Sequence, residues 1–115
     1  MRDIKFRALN GDRIVKVNTI GWTDGEIDWV DTSKNDDFDE GLILMQYTGN
    51  KDNQGKEIYE GDILQSEHYF RYQVVFKGDC WRCEPVKNNH LKNRFIGSDL
   101  KVIGNIYENQ ELLED

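Results

Sequence analysis

The stretch from Leu44 to Leu64, LMQYTGNKDNQGKEIYEGDIL, constrains this fold more than any other part of the chain. Its apolar residues lie at both ends, and turn formers and glycines fill the middle, so it reads as strand, tight turn, short segment, second sharp turn, strand. Asp52-Asn53-Gln54-Gly55 opens on a turn-initiating aspartate and closes on glycine, which suits a type I turn followed by a left-handed residue. Glu60-Gly61-Asp62 then reverses or kinks the chain. Gly61 supplies a conformation that a β-carbon opposes, and the Asp62 carboxylate is placed to fold back onto nearby backbone N–H groups. No His, Cys or Lys accompanies Asp62 at a short fixed spacing, so it reads as a turn cap and not as a catalytic acid. The expectation is that these two bends curl the flanking extended segments into a small closed β-barrel.

The N-terminal third has the same extended character. Ile4, Phe6 and Ala8 alternate with Lys5 and Arg7, the period-two pattern of a half-buried strand. Asn10-Gly11 suits a two-residue hairpin turn, a second strand returns through Ile14 to Ile20, Gly25 marks another turn, and a third strand runs from Glu26 to Asp31. The result is a meander. Strand 42–47 has two rather apolar faces and so is expected to be covered on both sides. After it come strands from Ile63 to Glu67, through Tyr72, Val74 and Phe76, a turn at Lys77-Gly78-Asp79, and Cys80 to Glu84. Pro85, the single proline, belongs at a strand end or edge because it cannot donate to a ladder. A last strand covers Lys101 to Glu108, and Asn109 is placed to cap a terminal helix of six or seven residues anchored by Leu112 and Leu113. So short a helix has to dock on the barrel or on a neighbouring subunit.

Charge narrows the function. The net charge is −7, and the segment from Asp24 to Glu40 holds eight acids against the single base Lys34, leaving fourteen charges of each sign elsewhere. The body is neutral and one segment carries the whole excess, which disfavours duplex nucleic acid as the partner of that face. Asp31 to Gly41 has no periodic apolar face and reads as a mobile acidic loop. Its alternating oxygens resemble a calcium loop, but the positions that require Gly and a bidentate Glu hold Asp36 and Leu42, so a solvated loop is the better reading. At 115 residues there is room for one domain. We divide it into an N-terminal subdomain, 1–41, and a barrel subdomain, 42–115, sharing one core. The longest apolar runs are about four residues, far short of the ~20 a spanning helix needs, and no secretory signal opens the chain. A cytoplasmic protein without membrane contact is expected.

Catalytic and metal signals are weak. Cys80-Trp81-Arg82-Cys83 is a C-x-x-C, with His68 and His90 as further candidate ligands. On a strand, residues i and i+3 point to opposite faces, so the sulfurs converge only through a bulge, and the expected state is one packed and one surface thiol. Gly55-Lys56 lacks the preceding glycine, the following Ser or Thr and the long helix of a phosphate loop. No nucleophile elbow occurs. The chain is therefore expected not to be an enzyme and to carry no metal or cofactor. The candidate binding surface is Tyr47, Tyr59, Trp81, Arg82, Lys87, Lys92, Arg94 and Tyr107. Its aromatics are candidate protein contacts, and the basic residues between 82 and 94 would grip an anion, with Trp81 stacking on bases in the nucleic-acid alternative.

The run MQYTG at 45–49, Lys51-Asp52, GKEIYEGDI at 55–63, VIGNIYEN at 102–109 and Glu111-Leu112-Leu113, together with the opening Ile4-Lys5-Phe6-Arg7-Ala8, resembles the YopX family of phage and prophage proteins. The matches span nearly the whole chain. Leu9 stands where that family often has Trp, and Gln110 where Pro commonly opens the last helix. The resemblance implies an SH3-like β-barrel in the C-terminal part with the N-terminal strands packed on it, an origin in a mobile element, and no catalytic residues to carry over. The expected function is accordingly a non-enzymatic protein-binding or assembly module of a bacterial host cell, with an unknown protein or a second copy as partner and nucleic acid as the alternative.

Overall fold

A computed structural model describes residues 5–10, 13–32, 43–86 and 91–113. Nine strands and one short helix appear among them: β1 (Phe6–Asn10), β2 (Arg13–Thr23), β3 (Glu26–Thr32), β4 (Ile43–Lys51), β5 (Glu57–Tyr59), β6 (Asp62–Gln65), β7 (Arg71–Lys77), β8 (Cys80–Pro85), β9 (Lys101–Asn105) and a 3-10 helix, Gln110–Leu113. They form two antiparallel sheets, one ordered β3-β2-β1-β4-β5 and the other β8-β7-β6-β9. The protein is mainly β.

The N-terminal meander is present, and it does more than pack on a barrel. β1 pairs with β2 on one side (Ala8 opposite Val15) and with β4 on the other (Ala8 opposite Leu44), so the first three strands extend the sheet that contains β4 and β5. Ala8 and Val15 are both buried there. Asn10 pairs with Arg13 and so belongs to the ladder, while Gly11 of the expected Asn10-Gly11 turn lies outside the described residues. β3 reaches Thr32, so the expected acidic loop starts two residues later than its composition suggests. The rest of that loop, with the calcium-like positions Asp36 and Leu42, also lies outside the described residues.

The expected closed barrel does not form: neither sheet closes on itself among the described residues. Bonds outside the strand ladders link the sheets instead, and two of the places where they do so are bends. The first is the kink. Gly61 has φ +87°, and a β-carbon there would lie 3.4 Å from Tyr107 Cε2 and 3.7 Å from both Ile106 Cγ1 and Met45 Sδ. Around it the Glu60 N–H donates to the Gln46 carbonyl in the first sheet (2.9 Å), while the Gly61 N–H donates to Val74 and the Ile106 N–H to Gly61 in the second (3.0 and 2.9 Å). The second connection is Asp52. Its Oδ1 accepts the N–H groups of Gln54 and Lys56, both at 2.8 Å, and its Oδ2 accepts that of Val102 on β9 at 2.9 Å. The Asn53 N–H donates to the Leu100 carbonyl beside it, at 3.0 Å. A carboxylate and one backbone bond thus stand where a ladder between β4 and β9 would close a barrel. The Gly55 N–H donates to the Asp52 carbonyl, and Gly55 has φ +81°, the expected turn and left-handed residue.

The core lies between the sheets and consists of Ile58, Leu64, Tyr72, Val74, Cys83, Leu100 and Val102, with Trp81, Leu91 and Ile96 packed against it. β9 ends at Asn105, earlier than expected, because the Asn105 side-chain oxygen accepts the Tyr107 and Glu108 N–H groups (3.0 and 2.8 Å) and turns the chain. Asn109 does not cap the helix with its side chain, which instead accepts the Asn105 N–H at 3.1 Å. The helix is a single four-residue 3-10 turn. It docks over Gly104, where an added β-carbon would meet Leu112 Cδ1 at 2.8 Å, and the Leu112 carbonyl accepts Arg71 Nη1 at 3.2 Å. Among the described residues no helix is long and apolar enough to cross a membrane.

Candidate functional site

Two places gather the side chains that the sequence singled out. At the first, the kink before β6 buries Asp62, which is 1% exposed. Its Oδ2 accepts the Tyr59 N–H at 2.8 Å, the turn cap expected of it, and its Oδ1 pairs with Arg7 from β1. The Arg7 guanidinium lies 4.6 Å from the centre of the Tyr59 ring, and Tyr59 is 5.5 Å from Tyr47. Lys5 Nζ is 5.4 Å from the Tyr47 ring and 2.6 Å from Glu57, whose other oxygen accepts the Tyr59 hydroxyl at 3.3 Å.

Electrostatics follow from this layering. Burial pushes the Asp62 carboxyl above its ordinary value, and the Arg7 charge and the Tyr59 N–H only partly oppose that. The Lys5 ammonium holds Glu57 below its ordinary value against the cost of burial. The Tyr59 phenol is raised, by burial first and by Glu57 second. Tyr47 is 8% exposed, whereas Tyr59 is half-buried and Lys5 lies exposed at the edge of the cluster. Tyr47 is therefore an internal strut, and Tyr107, at Gly61, braces the same kink. Tyr47 is thus buried and not on an open face, while Tyr59 and Tyr107 keep partial exposure.

The second place is the mouth of the core. β7 and β8 meet at the Gly78-Asp79 turn, where Phe76 pairs with Trp81 across the ladder, their rings 5.0 Å apart and edge to face. Residues 94–96 cross in front: the Cys83 N–H donates to the Arg94 carbonyl (2.7 Å) and the Arg94 N–H to Cys83 (3.0 Å), which seats Phe95 and Ile96 beside Trp81. A cavity of about 220 Å³ opens here, lined by Asn50, Phe76, Asp79, Cys80, Trp81, Phe95 and Ile96. Phe76 is 53% and Phe95 67% exposed on its lip. The sequence pattern placed Phe76 on the core face with Tyr72 and Val74, and it is on that face. It lies past the point where the opposing sheet covers it.

The basic segment is less positive than its composition. Arg94 makes a two-pronged ion pair with Asp99, Nη1 to Oδ2 at 3.0 Å and Nη2 to Oδ1 at 2.7 Å, and lies 5.8 Å from the Tyr72 ring. Arg82 stacks over Phe95 at 5.7 Å. Lys92 is exposed, and Lys87 and His90 lie outside the described residues. Trp81 thus lines the mouth and Arg82 touches it only through Phe95, whereas Arg94 is neutralised. Cys83 is fully buried, and burial pushes its thiol up to about 11. Cys80 is partly exposed at the mouth, and both thiols are free. Among the described residues no three His, Cys, Asp or Glu side chains gather closely enough to hold a metal ion.

A family model described as YopX protein matches residues 1–114. The solved structure of protein EF1440 from Enterococcus faecalis is similar to this chain at 28% identity and a TM-score of 0.62, covering 99% of this chain and 100% of that one. No curated protein matches.

Proposed function

The chain belongs to the YopX family, and on that premise we propose that it is a non-enzymatic binding module, of phage or prophage origin and acting in the bacterial cytoplasm, that takes an aromatic side chain of a protein partner into the mouth at Trp81. One observation carries this reading: Phe76 and Phe95 stay exposed on either side of a half-buried Trp81. Large apolar groups held in water around a concavity are the usual anchors of protein recognition. The mouth is also small. At about 220 Å³ it falls below the ~300 Å³ at which drug-sized ligands begin to fit, so a single side chain suits it better than a free metabolite. We regard the C-terminal part as an SH3-like roll left open between β4 and β9, with Asp52 as its seam, and the mouth as an open end of that roll.

Peptide display against the whole protein, with counter-selection on a Phe95→Ser variant, tests the reading. It expects enriched peptides with an aromatic anchor that lose binding to the variant. Enrichment that ignores Phe95, or none at all, defeats it.

A further inference from the structure

A second exposed aromatic site lies at the other end of β7. Ser66 to Phe70 link β6 to β7 in a tight loop: the Ser66 N–H donates to the Phe70 carbonyl (2.9 Å), the Tyr69 N–H to the Ser66 carbonyl (3.0 Å) and the Phe70 N–H to Ser66 Oγ (3.2 Å). These bonds fix Tyr69 at φ +67°, a left-handed conformation that costs a residue with a β-carbon about 1–2 kcal/mol. Tyr69 is also 80% exposed, and no described group bonds its hydroxyl. The fold therefore holds Tyr69 in a strained backbone conformation and leaves its ring in water. A loop backbone already fixed in this way loses little freedom on binding.

Resting on the mouth reading above, we propose that the occupant of the mouth is Tyr69 of a second copy of this chain. The tip and the mouth sit at opposite ends of the seven-residue β7, about 20 Å apart, so a chain cannot fill its own mouth. Two copies can fill each other's, and a reciprocal pair of such contacts closes a two-fold dimer. The chemistry matches. The cavity is lined by aromatics that meet a phenol ring edge to face, and among the described residues its only charged lining residue is Asp79, an acceptor for the Tyr69 hydroxyl. Asn50 offers a second acceptor on the same rim.

Complementation by sedimentation equilibrium tests this on the full chain. Tyr69→Asn keeps a residue that tolerates positive φ, and Phe95→Ser changes an exposed loop side chain, so both variants keep the fold, which circular dichroism checks. The wild type is expected to self-associate, and each variant alone to dissociate with a Kd raised more than about tenfold. A mixture of the two is expected to associate one to one, because one partner retains the tip and the other the mouth. A wild type that stays monomeric through the millimolar range, or a mixture no stickier than its components, overturns the proposal. In that event, display peptides that still depend on Phe95 would leave the mouth as a binding site for another partner, and their absence would remove both readings.

Discussion

Asp52→Asn is the substitution that most directly interrogates how the two sheets are held. The Asp52 carboxylate is 8% exposed and accepts three backbone N–H groups, two on Oδ1 and one, from Val102, on Oδ2. Asparagine keeps an oxygen for Gln54 and Lys56. It must then turn its NH2 toward the Val102 N–H, donor against donor. A hydrogen bond to a charged group contributes about 1.5–3 kcal/mol, and a buried donor left without an acceptor costs about 1–3 kcal/mol. The two Oδ1 bonds also weaken from charge-assisted to neutral, so we expect a loss of about 3–4 kcal/mol, a large part of the 5–15 kcal/mol typical of a domain. Asp52→Ala should cost little more, since Gln54 and Lys56 are exposed and water replaces their bonds. The signature is therefore that asparagine already incurs most of the alanine loss.

The pH dependence supplies a second check. Burial alone would raise the Asp52 carboxyl, but the bonds from Val102, Lys56 and Gln54 outweigh it and hold the group below its ordinary 3.8. A depressed carboxyl contributes stability that is complete above the unfolded value and lost as pH falls through the folded one. The gap between wild type and Asp52→Asn should thus be full at pH 7 and shrink only below about pH 4. Urea unfolding followed by tryptophan fluorescence measures both. A gap under about 1 kcal/mol at pH 7, or one that does not change down to pH 3, refutes the view that Asp52 is the seam.

Arg7→Met should destabilise by about 3–5 kcal/mol at neutral pH, because it strands the Asp62 carboxylate without its counter-charge. Asp62 is already raised by burial, so the protonated form is favoured by folding and the variant should regain stability as pH falls; urea midpoints at pH 7 and pH 4.5 show the sign, and a variant that loses stability equally at both refutes it. Gly61→Ala should cost about 1–2 kcal/mol from the left-handed backbone alone, with added loss from crowding against Tyr107; thermal melting checks this. Native-state alkylation should label Cys80 and spare Cys83, whose thiol is buried and raised, as intact mass will show. A fluorescent single-stranded oligonucleotide at low salt should bind weakly at most, since Asp99 neutralises Arg94; tight binding with a steep salt slope would restore the nucleic-acid alternative.

What could be read from the chain was local. The Asp52–Gly55 turn, the Gly61 kink, the capping role of Asp62 and the placement of Pro85 at the end of edge strand β8 each depend on residues within about four positions, where φ preferences and side-chain reach decide the outcome. The N-terminal meander was legible for the same reason. Period two also identified the face that Tyr72, Val74 and Phe76 share. It could not say where cover ends along that face, and this is why the exposed lip of the mouth was not foreseen, whereas the two apolar faces of strand 42–47 already implied a covered Tyr47.

The long-range errors have a common cause. Arg7 alternates with Ile4, Phe6 and Ala8, so a rule of one wet face and one dry face sends it to solvent. β1, however, lies between β2 and β4, and the kink before β6 brings a buried carboxylate to its second face. Once both faces of a strand are in contact, alternation no longer distinguishes inside from outside, and a charged residue is admitted wherever a counter-charge arrives from a distant segment. The same logic accounts for the missing barrel. Closing a sheet requires β4 and β9 to trade backbone bonds, and here a side chain accepts the Val102 N–H that such a ladder would use. The pattern of extended segments is the same in either case, so strand content was predictable while closure turned on where one aspartate points.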